Sequence, residues 1–99
     1  MLHIVNKSHT DRNALAACLR LAQDGHSLLL IEDGVYAATA QAAEASGIAA
    51  AAKRLKVHVL LPDAQARGMA GRLAGGVATV DYAGFVDLVA AHSTNQSWL

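Results

Sequence analysis

A chain of 99 residues holds one domain and has no room for two, so the expected unit is residues 1–99. Hydrophobic residues make up 54% of it and charged residues 16%, against about 25% charged in ordinary soluble domains, which excludes a disordered chain. Eight basic residues balance eight acidic ones and there is one cysteine, so neither strong direct nucleic-acid binding nor an internal disulfide has a basis. The longest strongly apolar stretch, Leu28 to Ile31, runs straight into Glu32 and Asp33, far short of the roughly 20 residues a membrane span needs. His3 and Lys7 near the start, with no apolar segment behind them, argue against a signal peptide and for the cytoplasm. So few charges leave little to cover the surface of a small domain, and burial in an oligomer would resolve that.

In chain order, Leu2–Val5 is the first run with strand character. A helix follows over about Asp11 to Asp24, with Ala14, Leu15, Cys18, Leu19 and Ala22 forming a stripe of helical period. Ser8 or Thr10 is expected to cap its start and Gly25 to stop it. Leu28–Ile31 is the second strand, Tyr36–Ala45 a second helix ending at Ser46-Gly47, and Ala49–Ala52 another turn or two of helix. Val57–Leu61 is the third strand, and Pro62-Asp63 opens a third helix, proline being tolerated in a first turn. Gly68, Gly71, Gly75 and Gly76 mark a loose connection to a weaker strand at Val77–Val80. A last helix spans Tyr82–Ala91, with Phe85, Leu88 and Val89 on one face. Continuous rather than alternating apolar runs suit strands covered on both sides. Strands alternating with helices give an α/β fold: a single three-layer domain on a mostly parallel sheet of about four strands.

Candidate chemistry is sparse. Glu32-Asp33-Gly34 follows the second strand directly, at the carboxyl edge where open α/β sheets hold ligands. Adjacent residues of an extended chain point apart and make a poor carboxylate pair, so the plainer expectation is that Asp33 caps the next helix while Gly34 turns. The five histidines show neither i,i+4 nor His-x-His spacing, so no metal site is expected. Cys18, the only thiol, is the one candidate nucleophile, but its mid-helix place on the apolar stripe favours a packed, inert side chain. The glycines form no nucleotide-binding loop, and no cofactor is implied. Asn6-Lys7 stands where a receiver-type phosphoacceptor needs acidic residues, and Cys18 is not in the loop a rhodanese-like enzyme needs. Trp98 stands one residue from the end, after the polar run His92 to Ser97. Chain ends fray unless tied down, so Trp98 is expected either to fold back on the last helix near Phe85 and Leu88 or to anchor in a partner, with Gln96 and Ser97 bonding along the same seam.

MLHIVNKS at Met1–Ser8, LLLIEDGVYAA at Leu28–Ala38, LPDAQARG at Leu61–Gly68, DYAGFVDLV at Asp81–Val89 and HSTNQSW at His92–Trp98 together resemble the TusB/DsrH family. The resemblance covers essentially the whole chain and rests on the order, spacing and total length of these pieces. It implies an accessory subunit of a sulfur-relay complex, a heterohexamer with two copies each of this chain and of TusC/DsrF-like and TusD/DsrE-like subunits. Such complexes pass persulfide sulfur between carrier proteins, toward tRNA wobble-uridine 2-thiolation or in dissimilatory sulfur oxidation. The principal sulfur-carrying cysteine is then the TusD/DsrE subunit's. A first-helix cysteine like Cys18 is commoner in DsrH-type members. Two alternatives stay open beside this one: a small-ligand or regulatory module using the Glu32-Asp33 edge, and an autonomous sulfurtransferase using Cys18.

Overall fold

The computed structural model describes residues 1–11 and 13–98. Its strands β1 (Leu2–Val5), β2 (Ser27–Leu30), β3 (Lys56–Leu60), β4 (Ala78–Val80) and β5 (Asn95–Trp98) form one sheet in the order β4-β3-β2-β1-β5, every neighbouring pair parallel. The central strands are the apolar runs, because only they can be buried on both sides.

The register sorts side chains onto two faces. His3 and Val5 share one with Leu28, Leu30, Val57, Val59 and Trp98. Helices α1 (Ala14–Leu21), α2 (Ala43–Ser46) and α3 (Ile48–Ala51) close that side, along with a 3-10 helix over Glu32–Ala38. Leu15, Cys18, Val35, Ile48 and Leu55 complete a single buried cluster there. The Arg54 guanidinium donates to the carbonyls of Leu19 (2.6 Å) and Ala22 (2.8 Å), capping the end of α1 with a positive charge.

The opposite face presents Leu2, Leu29 and Leu60, all nearly without exposure. It is crossed by α5 (Tyr82–Ala91) on the way from edge strand β4 to edge strand β5, the side a right-handed crossover demands. Asp81 caps α5, its Oδ1 accepting from the Gly84 N–H at 2.7 Å. A fifth helix in space, α4 (Leu61–Ala66), follows β3 with Pro62 in its first turn.

Four expectations change. The sheet has five strands, not about four, because Asn95–Trp98 pairs with β1. Its Asn-Gln-Ser-Trp sequence carries no apolar run, as suits an edge strand with solvent beside it. The first helix begins at Ala14 rather than near Asp11, since the Ser8 hydroxyl is engaged in a local turn with Thr10 and caps no helix. It also ends at Leu21, leaving Gly25, at φ +86°, to turn the chain into β2. The helix expected over 36–45 is replaced by the 3-10 segment and the short α2, while the turn expected at Ala49–Ala52 is present as α3. Thr39 ends the first piece by donating to the Tyr36 carbonyl and accepting from the Ala42 N–H, and Gly47, at φ +90°, separates α2 from α3.

Candidate functional site

The carboxyl ends of β1, β2 and β3 carry the polar groups that the sequence brings to one edge. Gly34 sits so close to β1 that an added Cβ would lie 2.5 Å from the Val5 carbonyl oxygen. The glycine is there for close approach and not for the turn expected of it. The chain reaches it through Glu32, whose φ of +49° is the one left-handed value at a non-glycine among the described residues. Such a conformation costs of order 1–3 kcal/mol. Its backbone N–H is held by a charge-assisted bond to Asp63 Oδ2 at 2.7 Å.

Asp63 lies in the first turn of α4, and one turn on, Arg67 donates from Nε to Asp33 Oδ1 at 2.8 Å. Asp33 therefore caps nothing, and its carboxylate raises the affinity of the Arg67 guanidinium for its proton. Glu32 and Asp33 do not work as a carboxylate pair, because Asp33 is neutralised by a cation. Beside this knot an open cleft of about 380 Å³ is lined by His9, Tyr36, Thr39, Gln41, Ala42, Met69 and Arg72. The Thr39 hydroxyl is already committed to backbone, leaving Arg72 as the cleft's positive charge.

Cys18 has no solvent exposure. Burial pushes its thiol up to about 12, against a smaller downward pull from Arg54. An apolar surround disfavours the thiolate, the form that attacks sulfur. Among the described residues no group of three or more His, Cys, Asp or Glu side chains is placed to hold a metal ion. The histidines separate: His58 lies under α5 with a lowered pKa, from burial first and then His92 and Lys56. His92 bonds the Leu88 carbonyl through Nδ1, and His3 and His26 meet at 3.0 Å.

Trp98 corrects one expectation. It folds back, but onto the His3 face of the sheet and not onto α5, because β5 pairs with β1 and turns Trp98 to the same side as Val5. Its indole Nε1–H donates to His3 Nδ1 at 3.2 Å. Gln96 and Ser97 lie exposed along the sheet edge, and Phe85 is half-buried on α5. Asp63 and Arg67 had not been singled out. Their i,i+4 spacing after Pro62 was a legible helical pair, but their partners lie more than thirty residues away. No helix of the described residues is long and apolar enough to cross a membrane.

Comparison with known proteins covers the whole length. The family model for DsrH-like protein matches residues 7–95. Protein TusB of Escherichia coli O81 (strain ED1a) is 38% identical over 100 residues, spanning 99% of this chain and 100% of its own. Protein TusB of Pectobacterium parmentieri matches at the same identity and coverage. The solution NMR structure of protein Tm0979 from Thermotoga maritima superposes with a TM-score of 0.64 at 23% identity, covering 95% of this chain and 97% of that one. That likeness supports the α/β architecture. On the family match over residues 7–95 and the 38% identity to these relatives, the chain belongs to the TusB/DsrH family.

Proposed function

We propose that this chain is an accessory subunit of a sulfur-relay complex, one that passes persulfide sulfur between carrier proteins toward tRNA wobble-uridine 2-thiolation or in sulfur oxidation. The observation that carries the proposal is its likeness, end to end, to proteins named TusB. In a relay step an acceptor thiolate takes the outer sulfur of a donor persulfide and releases the donor thiolate. With its thiol at about 12, Cys18 offers about one thiolate in ten thousand at pH 8. The chemistry then belongs to a cysteine of a TusD/DsrE-like subunit, and an autonomous sulfurtransferase through Cys18 finds no support.

The partners are TusC/DsrF-like and TusD/DsrE-like subunits, in a heterohexamer with two copies of each chain. They dock on α5, where Tyr82 and Val86 are exposed and Phe85 half-buried, and along β5, where Gln96, Ser97 and the edge of Trp98 are reachable. Apolar helices without buried residues are what obligate interfaces cover. Co-expression with the two partner types, followed by native mass spectrometry, is expected to give the heterohexamer. A monodisperse monomer that ignores both at micromolar concentration overturns the proposal.

A second function draws on one observation: the 3-10 helix that begins at the Glu32-Asp33 edge leads to the open cleft, which Tyr36 of that helix lines together with Arg72. It makes the chain a small-ligand or regulatory module. A thermal shift produced by small anions and abolished in Arg72→Ala would favour it over the relay.

A further inference from the structure

The indole of Trp98 is a donor only, so its bond fixes His3 Nδ1 as an acceptor. The backbone N–H of Gln23 donates to His26 Nδ1 at 3.2 Å, which fixes that nitrogen as an acceptor too. Across the 3.0 Å contact between the rings, the proton then belongs to His3 Nε2, pointing at His26 Nδ1. Both rings are thereby held as neutral Nε2–H tautomers, in a directional chain from indole to imidazole to imidazole. A further proton has no unoccupied place on the chain's facing nitrogens. On His3 Nδ1 it confronts the indole N–H, and on His26 Nδ1 it confronts both His3 Nε2–H and the Gln23 N–H.

We propose that the Trp98–His3–His26 chain is a proton-operated latch, holding the C-terminal strand against the sheet while the His3 ring is neutral and releasing it when His3 is protonated. Strand β5 has little else to hold it. It pairs on one side only, with β1, and Asn95, Gln96 and Ser97 are exposed, so Trp98 alone reaches the buried cluster. His3 itself is 2% exposed.

The charges around the rings are few. Strands β2 and β5 and the inward side of α1 bring none to them. The amino terminus at Met1 opposes a positive charge on His3. Beyond it, the Arg54 guanidinium is engaged by the Leu19 and Ala22 carbonyls, and Asp24 is largely in solvent and paired with Arg54 at 3.5 Å. Burial, then His26 and then the amino terminus hold the His3 pKa below the ordinary histidine value. A base so depressed binds fewer protons folded than unfolded near pH 6.5. The latch's contribution is therefore full above that value and is lost as pH falls toward the folded one.

The test uses the whole chain, labelled with nitrogen-15. At pH 7.5 the imidazole nitrogen shifts of His3 and His26 are expected to report Nε2–H tautomers, with the single indole N–H protected from exchange. Between about pH 6.5 and the lower His3 midpoint the protection should fall about tenfold per pH unit, as release by one proton requires. Residues 95–98 should move with it while the amides of α1, β2 and β3 hold. Trp98→Phe, which removes the donor, is expected to raise the His3 midpoint. An Nδ1–H tautomer at either ring, pH-independent indole protection, or an unchanged midpoint in Trp98→Phe overturns the latch. So does loss of β5 only together with the whole sheet, the signature of acid unfolding to which half-buried His58 contributes from the other face.

Discussion

The two faces of the sheet are built from the same strands but finished differently. On the His3–Val5 face, helical segments lie over a continuous cluster in which Val5, Leu28, Leu30, Val35, Ile48 and Val59 have essentially no exposure. On the other, three leucines are buried beneath a single helix, none of whose own residues is buried. Helix α5 is nevertheless among the most apolar segments of the chain, with Tyr82 62% and Val86 66% exposed. One face encloses a folded core; the other has half of one. That asymmetry gives a chain with 16% charged residues one enclosed core and, on α5, apolar surface of the kind that partners cover.

Substitution on the enclosed face should be most costly. Leu30→Ala removes a fully buried side chain from a packed cluster, and a loss of about 2–5 kcal/mol is expected by urea unfolding. A change below that of an ordinary surface mutation would mean this face is as loosely closed as the other. Next comes Gly34→Ala, whose Cβ would meet the Val5 carbonyl at 2.5 Å. Since backbone must move to admit it, a loss of about 1–3 kcal/mol is expected in the same measurement. Arg54→Ala should follow at about 1.5 kcal/mol. That is low for bonds from a charged donor, because the side chain is about one-third exposed. Its effect comes through the Leu19 and Ala22 carbonyls at the end of α1. Asp24→Asn should be nearly silent, its carboxylate being 84% exposed.

The same asymmetry governed what could be read in advance. Strands β1 to β3 were legible because burial on both faces writes itself as runs of Leu, Ile and Val, whereas β4, Ala-Thr-Val at the exposed edge, gives only a weak signal. Helix α5 was legible to the residue because Asp81 caps it and nothing interrupts its period. β5 was not, since a polar edge strand is specified by its neighbour's ladder and not by its own composition. Nor was the segment after β2, where alanines fit any helix and the close approach of Gly34 to Val5, set by tertiary packing, decides the geometry. At the carboxyl edge the residue types were visible in Glu32-Asp33 and Pro62-Asp63. Their pairing was not, because Glu32 to Asp63 and Asp33 to Arg67 are contacts across the fold. Cys18 was the reverse case: its place on a helical stripe foretold a buried thiol.

A comparably small effect on stability should come from the half-finished face, and it is the one that tells the most. Val86 is two-thirds exposed on α5, so Val86→Ser removes almost no buried area, and valine and serine differ little in helix propensity. The isolated chain is expected to unfold within about 0.5 kcal/mol of the parent. If α5 is covered in an assembly, the same change places a hydroxyl in an apolar interface, where an unpaired polar group costs about 1–3 kcal/mol. Two copies in one complex would feel it twice. Co-purification with TusC/DsrF-like and TusD/DsrE-like subunits should then weaken by tenfold or more, about 1.4 kcal/mol per factor of ten. Weakened assembly with an unchanged urea midpoint would locate the missing half of the second core in a partner. Equal assembly with an unchanged midpoint would mean that Val86 stays in water throughout, and that the two faces differ for a reason other than docking on α5.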